Sequence, residues 1–210
     1  MTETTGGDRE GAATGSDGGP PRVLVVEDEA DVRELYVERL SGEYDVATAR
    51  TGEEALAVLD DAVDVVLLDR RLPGLHGDDT LGRIRESGVD VRVAVVTAVA
   101  AELDVVGLPI DAYVRKPVDA GELRGLVERL VRVARYDDHV RQYFAITRKR
   151  AALDEAGHGA GSRELDRRRG SLEAGIDDLR ARLDHEDYEL LFRGLDADDD
   201  DVTEGTDASA

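Results

Sequence analysis

The chain has no cysteine, and only two of its 27 basic residues are lysines, Lys116 and Lys149. Without cysteine there is no disulfide scaffold and no thiolate metal site. No apolar stretch approaches the roughly 20 residues needed to span a bilayer. Met1 to Gly19 is rich in Gly, Thr and Asp and lacks the apolar core of a signal peptide. A soluble, cytoplasmic protein with no membrane association is therefore expected.

Charge is abundant and lopsided. Over 210 residues, 48 acids give a formal net charge of −21. A strongly acidic surface with almost no lysine suits a cytoplasm at very high salt, where the Debye length falls to about 3 Å or less and self-repulsion is muted. A GC-rich genome would also favour arginine over lysine, but it does not account for the excess of Asp and Glu. The charge also divides the chain. Residues 22–120 carry 22 acids against 11 bases, residues 121–195 carry 15 of each, and 196–210 carry seven acids and no base. This predicts a disordered leader over 1–21, an acidic domain over 22–120 and a charge-balanced domain over 121–195. An acidic disordered tail over 196–210 completes the division.

Within 22–120, short β-branched runs alternate with helical stretches. The runs are Val23–Val26, Val63–Leu68 and Val91–Val96, with weaker ones at Tyr44–Ala47 and Ala112–Val114. The helical stretches are Ala30–Leu40 with Val32, Leu35 and Tyr36 inward, Gly52–Asp61 with Ala55, Leu56 and Leu59, and Asp78–Glu86 with Leu81 and Ile84. Thr51-Gly-Glu-Glu54 has the form of a capping box. Continuous rather than alternating apolar runs mean strands covered on both faces. The expected fold is α/β: a flavodoxin-like, five-stranded parallel sheet in the order 2-1-3-4-5, with helices on both faces. Such folds bind ligands beyond the carboxyl ends of strands 1 and 3, where Asp28 follows one strand and Asp69 ends the other.

A helix starting near Asp119 does not stop where a fifth helix should, near residue 135. Leu123, Leu126, Leu130, Val133, Val140 and Phe144 keep three- and four-residue spacing through Lys149, interrupted by polar Asp137 at a seam position. Gly157-His-Gly-Ala-Gly161 breaks the pattern, and Leu165, Leu172, Ile176, Leu179 and Leu183 resume it. This predicts an α-helical hairpin or coiled coil, with a short third helix over Tyr188–Leu195. One long helix pairing with a second subunit is the alternative.

Four motifs carry the chemistry. They are Val-Val-Glu27-Asp28-Glu29, Leu-Leu-Asp69-Arg-Arg-Leu-Pro73-Gly74, Val-Val-Thr97-Ala98 and Tyr113-Val-Arg-Lys116-Pro117. In this order they resemble the receiver domain of two-component response regulators, over roughly Arg22 to Glu128. The helical region, with Ala134-Arg135-Tyr136-Asp137, Gln142-Tyr143-Phe144-Ala145 and Phe192-Arg193, resembles the HalX domain attached to receivers of halophilic archaea.

The resemblance implies a response regulator of a phosphorelay, not an enzyme beyond phosphorylation and autodephosphorylation of its own aspartate. Asp69 would accept a phosphoryl group from the histidine of a sensor kinase. Glu27, Asp28, Asp69 and the backbone carbonyl of Arg71 would hold Mg²⁺. Lys116 would pair with the phosphoryl group as a point charge, and Thr97 would donate its hydroxyl to it. Tyr113 would turn inward as Thr97 moves, and the Lys116-Pro117 peptide would be cis.

The chain departs from the family in one place. Thr97 and Lys116 are 19 positions apart, fewer than usual, and Gly107-Leu-Pro109 limits the fourth helix to about two turns. Transfer of the common receiver homodimer to this chain is therefore in doubt. Output is also open. The sequence has no winged-helix DNA reader, no cyclase or methylesterase motif and no Walker-type loop. Arg148-Lys149-Arg150 and Arg167-Arg168-Arg169 flank the glycine break, either as a phosphate-contacting tip for DNA or transcription machinery or as ordinary salt-bridging residues. A phosphate shuttle or sink with an oligomerising appendage is the rival function.

Overall fold

The computed structural model describes residues 19–99, 107–155 and 162–193. Its five strands are β1 (Arg22–Val26), β2 (Asp45–Ala49), β3 (Val65–Leu68), β4 (Arg92–Thr97) and β5 (Ala112–Arg115). All neighbours are parallel, in the order β2-β1-β3-β4-β5. The helices are α1 (Ala30–Leu40), α2 (Gly52–Val58), α3 (Gly77–Glu86), α4 (Ala120–Glu155), α5 (Ser162–Arg182) and α6 (His185–Arg193).

The sheet sorts its side chains by the two-residue period of a strand. Val23, Val25, Val65, Leu67, Ala94 and Val96 face one layer, which α1 and α4 close with Tyr36, Leu40, Leu123, Val127 and Leu130. Leu24, Val26, Val66, Leu68 and Val93 face the other, closed by α2 and α3 with Ala55, Leu81 and Ile84. Both faces are apolar, so the runs read as continuous.

Elements differ from the sequence expectation mostly at their ends. α2 stops at Val58 because Leu59 turns to extended backbone, short of the expected Asp61. At its start Thr51 accepts from the Glu54 amide at 3.1 Å, but Glu54 reaches back to the amide of Arg50, not of Thr51. In α1 the inward stripe is Val32, Tyr36 and Leu40, at four-residue spacing. Leu35, expected inward, is 39% exposed on the flank of that stripe. The expected short fourth helix falls largely outside the described residues. So do the Gly157–Gly161 break, most of the leader and the tail.

The join between sheet and hairpin is one unbroken helix. Asp119 caps α4 by accepting from the amides of Gly121 and Glu122 at 2.7 and 2.9 Å. Asp137, which looked like a flaw in the seam, pairs with Arg92 at the start of β4. Arg92 also donates to Asp111 at 2.8 Å, and Asp111 accepts from Arg85 at 2.9 Å. One turn beyond Asp137, Arg141 pairs with Asp90. These ion pairs bind the root of the hairpin to the sheet rim opposite the carboxyl ends.

Farther out the seam turns. Ile146 and Leu172 are buried, whereas Phe144, placed in the seam by spacing, is 57% exposed. α4 and α5 approach closely at Gly175, where a Cβ would lie 2.8 Å from the His139 ring. α6 then folds back. Asp184 and Asp187 accept from each other's amides at 2.9 Å, and Asp187 also accepts from Arg132 at 3.0 Å. Leu190 joins the sheet-side core.

Candidate functional site

The strand register brings the acidic motifs level. Val26 pairs with Leu68, and the Asp69 amide donates to the Val26 carbonyl at 2.9 Å. Glu27, directly after β1, donates its amide to Ala49 of β2 at 3.0 Å. Each carboxylate is thus carried by backbone already held in the sheet. One oxygen from each of Glu27, Asp28 and Asp69 lies within 4.8 Å of the others. Glu27 and Asp69 are buried, and Asp28 is exposed at the mouth.

Lys116 reaches this group from the end of β5. Its Nζ donates to Glu27 Oε2 at 2.6 Å and to Asp69 Oδ2. The second Asp69 oxygen accepts from the Arg71 amide at 2.9 Å. Glu27 is 2% exposed, and burial pushes its pKa up, a push that the Lys116 ammonium opposes and the nearby Asp69 carboxylate reinforces. Burial works against the charge on Lys116, but its hydrogen bonds to Asp69 and Glu27 outweigh this and raise its pKa. Both directions follow from one arrangement, in which two buried carboxylates share one ammonium.

This donor set fits a hard divalent cation. It consists of oxygens only, converges from two strand ends, and is open to water at Asp28. The excess negative charge is only partly answered by Lys116, as a site for such an ion requires.

The remaining expected residues lie around this centre. Thr97 is buried at the end of β4, and its hydroxyl oxygen accepts from the Val99 amide at 3.4 Å. Tyr113 donates its hydroxyl to the Val99 carbonyl at 2.8 Å. Both side chains thus engage the loop after β4. The Lys116 amide donates to the Thr97 carbonyl at 2.8 Å, and the Lys116–Pro117 peptide is cis. Arg71 contacts Asp69 through its amide.

Sequence spacing did not single out three supports. Arg70 makes a two-pronged bond to Asp78, with Nε and Nη2 both at 2.8 Å from the carboxylate. Arg33 donates to the backbone of the acidic loop. Gly77 packs so tightly that a Cβ there would lie 2.6 Å from the Asp69 carbonyl oxygen and from the Arg70 Cα. Only the Gly77 signal, a glycine between the Asp69 loop and a helix, was open to inspection in the sequence.

Residues 23–128 match the response regulator receiver domain family. The chain belongs to that family. After the receiver, residues 132–192 match the HalX domain. A candidate transcriptional regulator of Haloferax volcanii is 45% identical over 178 residues, which are 83% of this chain and 29% of that protein. The transcriptional regulatory protein CpxR of Klebsiella pneumoniae is 36% identical over 121 residues, 56% of this chain and 52% of its own. The chain thus spans about a third to a half of the length of these two curated relatives. Among solved structures, the signal receiver domain of a candidate LuxO repressor from Vibrio parahaemolyticus superposes with a TM-score of 0.55 at 26% identity. The match covers 58% of this chain and 97% of that domain. No described helix is long and apolar enough to cross a membrane.

Proposed function

We propose that the chain accepts a phosphoryl group on Asp69 from a sensor histidine kinase and passes the resulting change to its helical domain. One observation carries this reading: the Asp69 carboxylate lies between a second and third carboxylate and one ammonium, at the carboxyl rim of β1 and β3. An Asp69 oxygen forms the new O–P bond while the P–N bond to the donor imidazole breaks, and the imidazole leaves with the electron pair. Glu27, Asp28, Asp69 and the Arg71 carbonyl would hold Mg²⁺, which would offset the repulsion between carboxylate and phosphoryl oxygens. Lys116 exchanges its bond to Asp69 for one to the phosphoryl group. Thr97 gives up its contact with Val99 to donate to the same group, and Tyr113 follows the loop.

We assign the receiver to 22–120 and the HalX-like domain to 121–195, within a cytoplasmic protein. The family matches, ending at 128 and resuming at 132, support this division, and α4 runs across it without a linker. The relatives' names favour a transcriptional output. In the hairpin Arg150 pairs with Asp166 at 3.0 Å and Arg167 with Glu164, which favours a protein partner, including a second copy of the chain, over direct DNA contact. Incubation with acetyl phosphate and Mg²⁺ should label the chain, and Asp69→Ala should abolish labelling; full labelling of that variant ends this reading. DNA binding by both phosphorylation states in molar KCl separates transcriptional output from a phosphate shuttle.

A further inference from the structure

The loop from Glu27 to Glu29 carries two of the three clustered carboxylates, and past Glu27, which the sheet and Lys116 hold, few side-chain bonds restrain it. Glu29, at the N-cap of α1, makes no side-chain cap bond. The bond from the Glu29 amide to Glu27 Oε1 is long, at 3.4 Å. Asp28 is exposed, and its carboxylate has no hydrogen bond among the described residues. Repulsion among three carboxylates would splay such a loop outward. The Glu27 amide is tied to Ala49 and its carboxylate to Lys116, but the carbonyls of Glu27 and Asp28 are held by one guanidinium. Arg33, one turn into α1, donates Nη1 to the Glu27 carbonyl at 2.8 Å and to the Asp28 carbonyl at 3.2 Å.

From this we infer that Arg33 is a positioning residue for the cation site, one that presets the Glu27–Asp28 backbone so that both carboxylates point toward Asp69. The inference rests on the cation-binding reading above. Both bonds leave one nitrogen, Nη1, held in place by the planar guanidinium, whereas a lysine ammonium is a mobile point charge on a flexible four-carbon stem. The geometry also opposes simple electrostatics, since a cation beside the site repels Mg²⁺. Removing Arg33 therefore loosens the ion if the residue positions the loop, and tightens it if charge alone matters.

Arg39 supplies a control on the same helix. It donates Nη1 to the Val118 carbonyl at 2.8 Å, on the lysine loop, and among the described residues makes no hydrogen bond to the acidic loop. The test is isothermal titration of the full, unphosphorylated chain with MgCl₂ in molar KCl, without any phosphodonor. Fold is checked by circular dichroism. Arg33→Ala and Arg33→Lys should each raise the Mg²⁺ Kd by about tenfold, the scale of groups that orient metal ligands. Arg39→Lys should leave it unchanged. If Arg33→Ala does not fold, Arg33→Lys alone decides, because it keeps the charge and loses the rigid planar head that places Nη1 between the two carbonyls. Wild-type affinity in Arg33→Lys, tighter binding in Arg33→Ala, or an equal loss in Arg39→Lys would overturn the inference. Absence of Mg²⁺ binding by the wild-type chain would instead remove the cation site itself.

Discussion

The sheet domain and the helical hairpin of this chain are held together by different forces. In the sheet domain, strand residues alternate into two apolar layers, each closed by helices. Beyond residue 134 the buried hydrophobics among the described residues are Ile146, Leu172 and Leu190, and Leu190 belongs to the sheet-side core. The hairpin is thus a thin structure whose placement depends on ion pairs at its root and on Asp187 under α6. A domain with two cores fixes its own shape; one with a single seam borrows position from its neighbour.

Salt should separate the two most. Residues 22–120 carry net charge −11 and residues 121–195 carry none. Raising KCl from dilute to molar should raise the melting temperature of the sheet domain by on the order of 15 °C, with less effect on the hairpin. A melt that ignores salt would remove the halophilic reading. Next in size, Leu67→Ala should cost about 4 kcal/mol in denaturant unfolding, against about 2 kcal/mol for Leu172→Ala in the hairpin seam. Equal losses would break the contrast.

Arg92→Ala should cost about 3 kcal/mol, since it leaves the buried Asp111 carboxylate with Arg85 as its remaining cation, beside the Val93 amide, and frees Asp137. Hydrogen exchange should then speed up in α4 beyond Asp137 while β1 and β3 stay protected. Asp187→Ala, which removes the acceptor of the Asp184 amide and the Arg132 bond, should cost about 2 kcal/mol and accelerate exchange in α6. Thr51→Ala, a cap alone, should cost about 1 kcal/mol.

What could be read from the sequence follows the same divide. β1, β3 and β4 announce themselves as short apolar runs, and Glu27, Asp28, Asp69 and Lys116 stand just past strand ends, where local pattern and chain order suffice. The structure brings those four together. Other features depended on partners distant in the chain. Asp137 looked like a break in periodicity because Arg92 lies in another element. Phe144 kept the helical spacing, yet the seam had rotated toward Ile146 and His139 as α5 packed against α4. Arg33 and Arg39 bind carbonyl oxygens, which every residue has, so no residue type marks their targets. α6 begins earlier than its apolar residues suggest because a pair of aspartates, Asp184 and Asp187, starts it.

The continuity of α4 gives the molecule a mechanical property. Past Arg141, which pairs with the sheet rim at Asp90, about 14 residues run on in the same helix, a rod of roughly 21 Å at 1.5 Å per residue. Tilting that rod by about 10° at its base would carry the far end through roughly 4 Å, so an ångström-scale shift near Lys116 would arrive at the tip several times larger.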